Sequence, residues 1–250
     1  MGFRAFVVSC WLSAVTHGAG GGNAWGPLDN LFGPDKRVPV TSSEFPWSAV
    51  GKLSTGCTAT LVGANLVVTA AHCVVDTQTR KLRSDLTYFY PNLVEGKARA
   101  SASIEQAWWG TDKPDSERTL DWAILRLKQD LGRSYGWMGV EADQGVRTVT
   151  LVGYSGDFRR GETAGAHLGC SVLDRMAGGL WLHDCHNSRG ASGGPLFGMR
   201  GQEPYLFAIN VAEYRDGGET SLRLPFYERR HSNIALSAGA FLSKLKELLK

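Results

Sequence analysis

The chain has 250 residues, 43% hydrophobic and 20% charged, a balance that excludes a disordered tail and a collagen-like rod and is enough to bury a sizeable core. Its net charge of +3 is too small to point to nucleic acid as a partner, and no apolar run reaches the roughly 18 residues that would span a bilayer. The 31 glycines, 8 tryptophans, 7 tyrosines and 10 phenylalanines mark a turn-rich, mostly β chain.

The chain opens with one positive charge at Arg4, an apolar stretch over 5–15 and the small residues Gly18, Ala19 and Gly20. That order predicts an export signal over 1–19. A buried first strand fits less well, because glycines follow at 20–22 instead of a hairpin turn. Residues 20–33 then read as a flexible segment or a short propeptide, and 34–250 as the folded domain. The expected location is secreted or periplasmic, with no membrane association once the signal is removed.

From residue 47 onward, short β-type runs alternate with turns. Strands are predicted at 47–53, 57–62, 66–69, 87–90, 98–107, 122–127, 148–154, 180–183 and 205–211. Helical periodicity is confined to the C-terminus, where Ser237 would cap a helix with Phe241, Leu242, Leu245, Leu248 and Leu249 on its apolar face. The basic pairs Lys36-Arg37, Arg159-Arg160 and Arg229-Arg230 read as solvated surface.

Removing the signal removes Cys10 and leaves Cys57, Cys73, Cys170 and Cys185. Four cysteines allow three connectivities. The local pairs Cys57–Cys73 and Cys170–Cys185, 16 and 15 residues apart, are favoured. Each closed loop would contribute about 3 kcal/mol by restricting the unfolded chain. Metal binding is not expected, since no closely spaced Cys-x-x-Cys pair occurs.

The sharpest chemical signal is Ser192 within Gly190-Ala191-Ser192-Gly193-Gly194-Pro195. A serine among glycines sits on a tight turn with its hydroxyl open to a substrate. That hydroxyl attacks only if a base takes its proton, and the imidazole that does so needs a carboxylate to fix its tautomer. Among six histidines, His72 stands out, delivered by an apolar strand into Thr69-Ala70-Ala71-His72-Cys73. Among the carboxylates, Asp121 stands at the lip of the apolar run Asp121-Trp122-Ala123-Ile124-Leu125, where burial demands a partner. The nucleophile elbow of α/β-hydrolases also has a Gly-x-Ser-x-Gly pattern, but it requires an Asp and then a His after the serine, and only 58 residues remain here.

Together these three blocks, in the order His, Asp, Ser and separated by 49 and 71 residues, resemble the signatures of chymotrypsin-fold (trypsin-like) serine peptidases. The short second spacing, Phe45-Pro46-Trp47 and Asp184-Cys185 resemble the bacterial glutamyl-endopeptidase-like branch. The resemblance covers residues 34–250. It implies an all-β fold of two antiparallel six-stranded β-barrels packed face to face, with a C-terminal α-helix. The site would lie between the barrels, with His72 and Asp121 on the first and Ser192 on the second. It also implies an oxyanion hole from the backbone amides of Gly190 and Ser192, and a Cys57–Cys73 bridge stapling the turn that holds His72.

Two departures matter. Ala191 occupies the place where animal enzymes of this type carry an Asp that pairs with a freed N-terminus, so activity is expected not to depend on that bridge. In the specificity pocket neither the tryptic Asp nor the glutamyl-branch His is in place, and His186 and Asn210 become the candidate substrate-binding residues. The expected activity is a monomeric, secreted serine endopeptidase acting on proteins or peptides without metal or cofactor. The competing expectation is a catalytically silent binding module on the same fold.

Overall fold

The computed structural model describes residues 31–142, 145–213 and 226–250. The predicted signal over 1–19, and the 20–33 segment as far as residue 30, lie outside the described residues. Leu31 and Phe32 are buried.

After a two-residue strand β1 (Val38–Pro39), six strands follow: β2 (Val50–Leu53), β3 (Thr58–Leu61), β4 (Leu66–Thr69), β5 (Tyr88–Pro91), β6 (Ala102–Trp109) and β7 (Ala123–Leu127). They close into a barrel in the order β2-β3-β4-β7-β6-β5, with every pairing antiparallel. A one-turn helix α1 (Gly132–Tyr135) and the short strand β8 (Gly139–Val140) cross to the second half. There β9 (Thr148–Gly153), β10 (Gly165–Met176), β11 (Leu180–His183), β12 (Pro195–Arg200), β13 (Glu203–Glu213) and β14 (Asn233–Ser237) close a second antiparallel barrel in the order β9-β10-β11-β14-β13-β12. The path is the same in both halves. The short β1 adds to β10, and β8 adds parallel to β13.

The alternation that predicts strands is the alternation that fills these barrels. Leu53, Leu61, Val67, Phe89 and Leu125 point into the first, and Val149, Leu151, Trp181, Leu196 and Phe207 into the second. Closure removes the exposed edges an open sheet would present. Val152, Tyr154, Phe197, Leu206 and Ile209 join the first barrel's core across the seam, so one continuous apolar layer fixes how the two halves meet.

Nine predicted strands appear within a few residues of their expected places. The sequence reading misses β10, β12 and β14 and the two-residue strands β1 and β8. The β10 strand is interrupted by Gly169 at φ +68° and by register shifts after His167 and Val172, which break its alternation. The terminal helix, α2 (Leu242–Leu248), begins later than predicted: Ser237 accepts from the Gly239 amide and caps the 3-10 turn before it. Phe241, just before α2, and Leu245 within it are buried, whereas Leu249 is exposed. Among the described residues no helix is long and apolar enough to cross a membrane.

Candidate active site

Antiparallel pairing of β4 with β7 brings the first two candidates together. Thr69 lies opposite Ala123 at one end of the pair. His72 follows β4 by three residues in a 3-10 turn, and Asp121 precedes β7 by two, so both fall on the same rim. Asp121 is fully buried, yet both its carboxylate oxygens are engaged. Oδ1 accepts the His72 backbone N–H at 2.9 Å, and Oδ2 pairs with the His72 ring at Nδ1 at 2.8 Å. A carboxylate can only accept, so Nδ1 carries the proton and Nε2 is left as the basic nitrogen. The Cys57–Cys73 disulfide ties this turn to the start of β3.

Ser192 sits on the turn before β12, and that turn is pinned from both barrels. Thr58 on β3 donates its backbone N–H to the Ser192 carbonyl at 2.9 Å and its hydroxyl to the Gly190 carbonyl at 2.7 Å. The Ser192 carbonyl lies 3.8 Å from the sulfur of Cys73, the residue next to His72. Toward the second barrel, Gly193 donates to the Asn210 carbonyl at 2.7 Å, and the Gly194 carbonyl accepts the Asn210 amide at 2.8 Å. The φ of Gly193 is +79°, and a Cβ would overlap Thr69 Oγ1 and the Thr58 carbonyl, so only glycine lets the barrels close there. No hydrogen bond joins the Ser192 hydroxyl to the His72 ring in this structure.

The amides of this turn divide into two groups. Ala191, Gly193 and Gly194 each donate to a backbone carbonyl. Gly190 and Ser192 donate to nothing among the described residues. Their orientation follows from the planar trans peptide, in which N–H and C=O point in opposite directions. The Arg189 carbonyl accepts from Gly156 at 2.8 Å and the Ala191 carbonyl from Gly194 at 2.9 Å, which turns the Gly190 and Ser192 N–H groups away from those anchors. Two unpaired amides beside a serine are the donors an anionic tetrahedral oxygen requires.

A cleft of about 370 Å³ opens beside Ser192, lined by Arg118, Asn187, Arg189, Asn210 and Glu213 among others. Asn210 is where the sequence places it. His186 is not: it is buried on the far side of its loop, its Nε2 within hydrogen-bonding distance of the Phe32 backbone and its Nδ1 accepting the Lys36 amide. The lining residue is its neighbour Asn187. Behind the cleft, His183 Nδ1 accepts the Cys185 amide, so Nε2 carries the hydrogen that Asn210 Oδ1 accepts at 3.2 Å. Complete burial lowers the His183 pKa to about 3 and keeps the ring neutral. Asn210 Nδ2 donates to Asn187 Oδ1, and Asn187 Nδ2 donates to the Cys185 carbonyl. The chain of bonds thus orients both amides and leaves each Nδ2 one further hydrogen.

Among the described residues, the two groupings of side chains that could in principle hold a metal are Cys57-His72-Cys73 and Cys170-Asp184-Cys185. In both, the sulfurs are joined as disulfides, the pairing favoured from the sequence, and a disulfide is no thiolate ligand. The basic pair Lys36-Arg37 is not uniformly solvated: Lys36 is exposed, but Arg37 is buried between Asp35 and Asp157.

Comparison with known proteins agrees with this geometry. Residues 36–231 match the Trypsin family model. Human serine protease 23 is 30% identical over 199 residues, covering 67% of this chain and 50% of that protein. The glutamyl endopeptidase of Bacillus licheniformis is 24% identical over 184 residues, covering 68% and 55%. The chain therefore spans about half the length of the curated relatives it matches. A solved Glu endopeptidase structure superposes with a TM-score of 0.72 at 20% identity, covering 88% of this chain and 99% of that one. The shared barrel path and the matched segment have one reading: the chain belongs to the Trypsin family and has the chymotrypsin fold of serine proteases.

Proposed function

We propose that the protein is a secreted serine endopeptidase that cleaves peptide bonds through an acyl-enzyme on Ser192. In this mechanism Ser192 Oγ attacks the scissile carbonyl while His72 Nε2 takes its proton. The carbonyl oxygen becomes an anion held by the Gly190 and Ser192 amides. His72 then returns the proton to the leaving amine, the C–N bond breaks, and water activated by the same ring hydrolyses the ester. Asp121 holds the ring in the required tautomer and stabilises the imidazolium as it forms. Ser192 Oγ moves on a single torsion, and contacts between nucleophile and base commonly tighten only with substrate bound. His72 is partly open, at 25% side-chain exposure, so a substrate can reach its free edge.

The observation that carries this reading is the pair of undonated amides at Gly190 and Ser192, on a turn anchored against the residue next to His72. A scaffold that only bound partners would have no need to leave them unpaired. The cleft offers N–H donors from Asn187 and Asn210 and positive charge from Arg118 and Arg189, against one carboxylate, Glu213. That supports a preference for side chains bearing acceptor oxygens, carboxylates or amides, before the cleaved bond. The two disulfides fit an oxidising, extracytoplasmic location. A fluorophosphonate probe tests the reading: Ser192 in the folded protein should be labelled, and Ser192→Ala should be neither labelled nor active. A folded wild-type protein that stays unlabelled would be the binding module instead.

A further inference from the structure

The proposed oxyanion donor at Gly190 depends on the direction of the Arg189–Gly190 peptide, and that peptide is held by a loop outside the cleft. Residues 155–157, following β9, meet residues 188–189 through three hydrogen bonds. Ser155 Oγ accepts the Ser188 amide at 3.1 Å, the Gly156 amide donates to the Arg189 carbonyl at 2.8 Å, and Asp157 Oδ1 accepts the Ser188 hydroxyl at 2.5 Å. This loop is itself clamped from the N-terminal side. Arg37, with 2% of its side chain exposed, donates two bonds to Asp157, at 2.8 and 2.6 Å. Its remaining donors reach Asp35 at 2.8 to 3.3 Å, and its guanidinium lies 5.0 Å over the Phe158 ring.

A buried guanidinium shared by two carboxylates is costly to assemble unless every partner is in place. Here the partners belong to separate parts of the chain, 120 residues apart, and one of them grips the turn that carries the nucleophile. The position before Ser192 is Ala191, whose small apolar side chain can form no ion pair to brace that turn. We infer that Arg37 and Asp157 are positioning residues for the oxyanion turn: the N-terminal strap, through Arg37, Asp157 and Ser188, sets the peptide direction that presents the Gly190 amide to the reacting carbonyl. The inference rests on the hydrolase reading above. Neither Arg37 nor Asp157 lines the cleft, so their loss should affect the chemical step rather than substrate binding.

The test uses the full chain with Asp157→Asn, Ser188→Ala and Arg37→Gln, measuring kcat and KM on a peptide substrate together with the rate of fluorophosphonate labelling at Ser192. Loss of a whole oxyanion donor slows catalysis about 10²–10³-fold, so loosening one should lower kcat and the labelling rate about 10- to 100-fold. For Asp157→Asn the KM should stay within about threefold, since only transition-state stabilisation is lost. Arg37→Gln removes the cation between two partly exposed carboxylates and is expected to weaken the fold as well, so Asp157→Asn and Ser188→Ala carry the decision. If the wild type is active and Asp157→Asn has its kcat and labelling rate within threefold of it, the positioning role is wrong while the hydrolase reading stands. A fall in kcat/KM that comes from KM alone would also overturn it. A folded wild type that neither labels nor cleaves overturns both.

Discussion

Replacing Asp121 by Asn isolates the electrostatic core of the proposed mechanism. The two side chains have nearly the same shape, and Asp121 is fully buried, so packing is preserved. If Oδ1 keeps its bond from the His72 amide, the new Nδ2 faces His72 Nδ1, where the wild-type carboxylate oxygen sits at 2.8 Å. An amide nitrogen can only donate, so the ring must accept at Nδ1 and carry its hydrogen on Nε2. That tautomer cannot remove the Ser192 proton, nor is the imidazolium stabilised when it forms. Tautomer inversion of this kind lowers kcat about 10⁴-fold, equivalent to about 5.4 kcal/mol at 1.36 kcal/mol per decade. The cost to folding is much smaller, about 1 kcal/mol for one charge-assisted bond turned neutral, or about 2–4 °C in Tm for a domain of this size. Steady-state kinetics at pH 7, fluorophosphonate labelling and a melting curve measure all three quantities. A variant with kcat within tenfold of wild type would show that His72 does not serve as the base through its bond to Asp121.

Gly190→Ala should reduce activity more than 100-fold and lower Tm, because Gly190 has φ +98° and a Cβ there would overlap the Tyr154 carbonyl; wild-type labelling of this variant would contradict the oxyanion assignment. Replacing both Cys57 and Cys73 by Ser opens a loop spanning 16 residues and should cost about 3 kcal/mol, seen as a Tm lower by about 6–12 °C; an unchanged Tm would show that the bridge adds nothing. Acid should destabilise the fold in two stages. Burial lowers His183 to about 3 and His167 to about 4, so the unfolded chain takes up these protons first and stability declines as pH falls below about 6.5. For Asp35, burial works to raise the pKa but the hydrogen bonds from Arg37 outweigh it and hold it at about 2, and Asp157 is lowered in the same way. Their contribution is complete above about pH 4 and is lost as pH falls through the lowered values. Both stages have the same sign, so a Tm that rose between pH 6.5 and 4.5 would refute this account.

The three signature blocks were legible because each is local: a strand delivering His72, an Asp at the start of another strand, a serine among glycines. Alternation and composition were enough for the all-β class, since filling a closed barrel demands inward-facing apolar residues whatever the topology. Cysteine spacing was enough to favour both bridges. The chain's own order does not reveal which distant groups meet. His186 looked like a pocket residue by its offset from Ser192, yet its ring is buried against Phe32 and its neighbour Asn187 is the residue that faces the cleft. Arg37 looked like a surface charge beside Lys36, and only the approach of Asp157, 120 residues away, makes its burial tolerable. Thr58 carries no motif at all, but closure of the barrels sets its hydroxyl against the Gly190 carbonyl. Local sequence determines which chemical groups are available and the strands that carry them. Long-range packing decides which amides stay unpaired and which charges are neutralised, because a hydrogen bond forms only at about 3 Å and nothing in residue numbering encodes that distance.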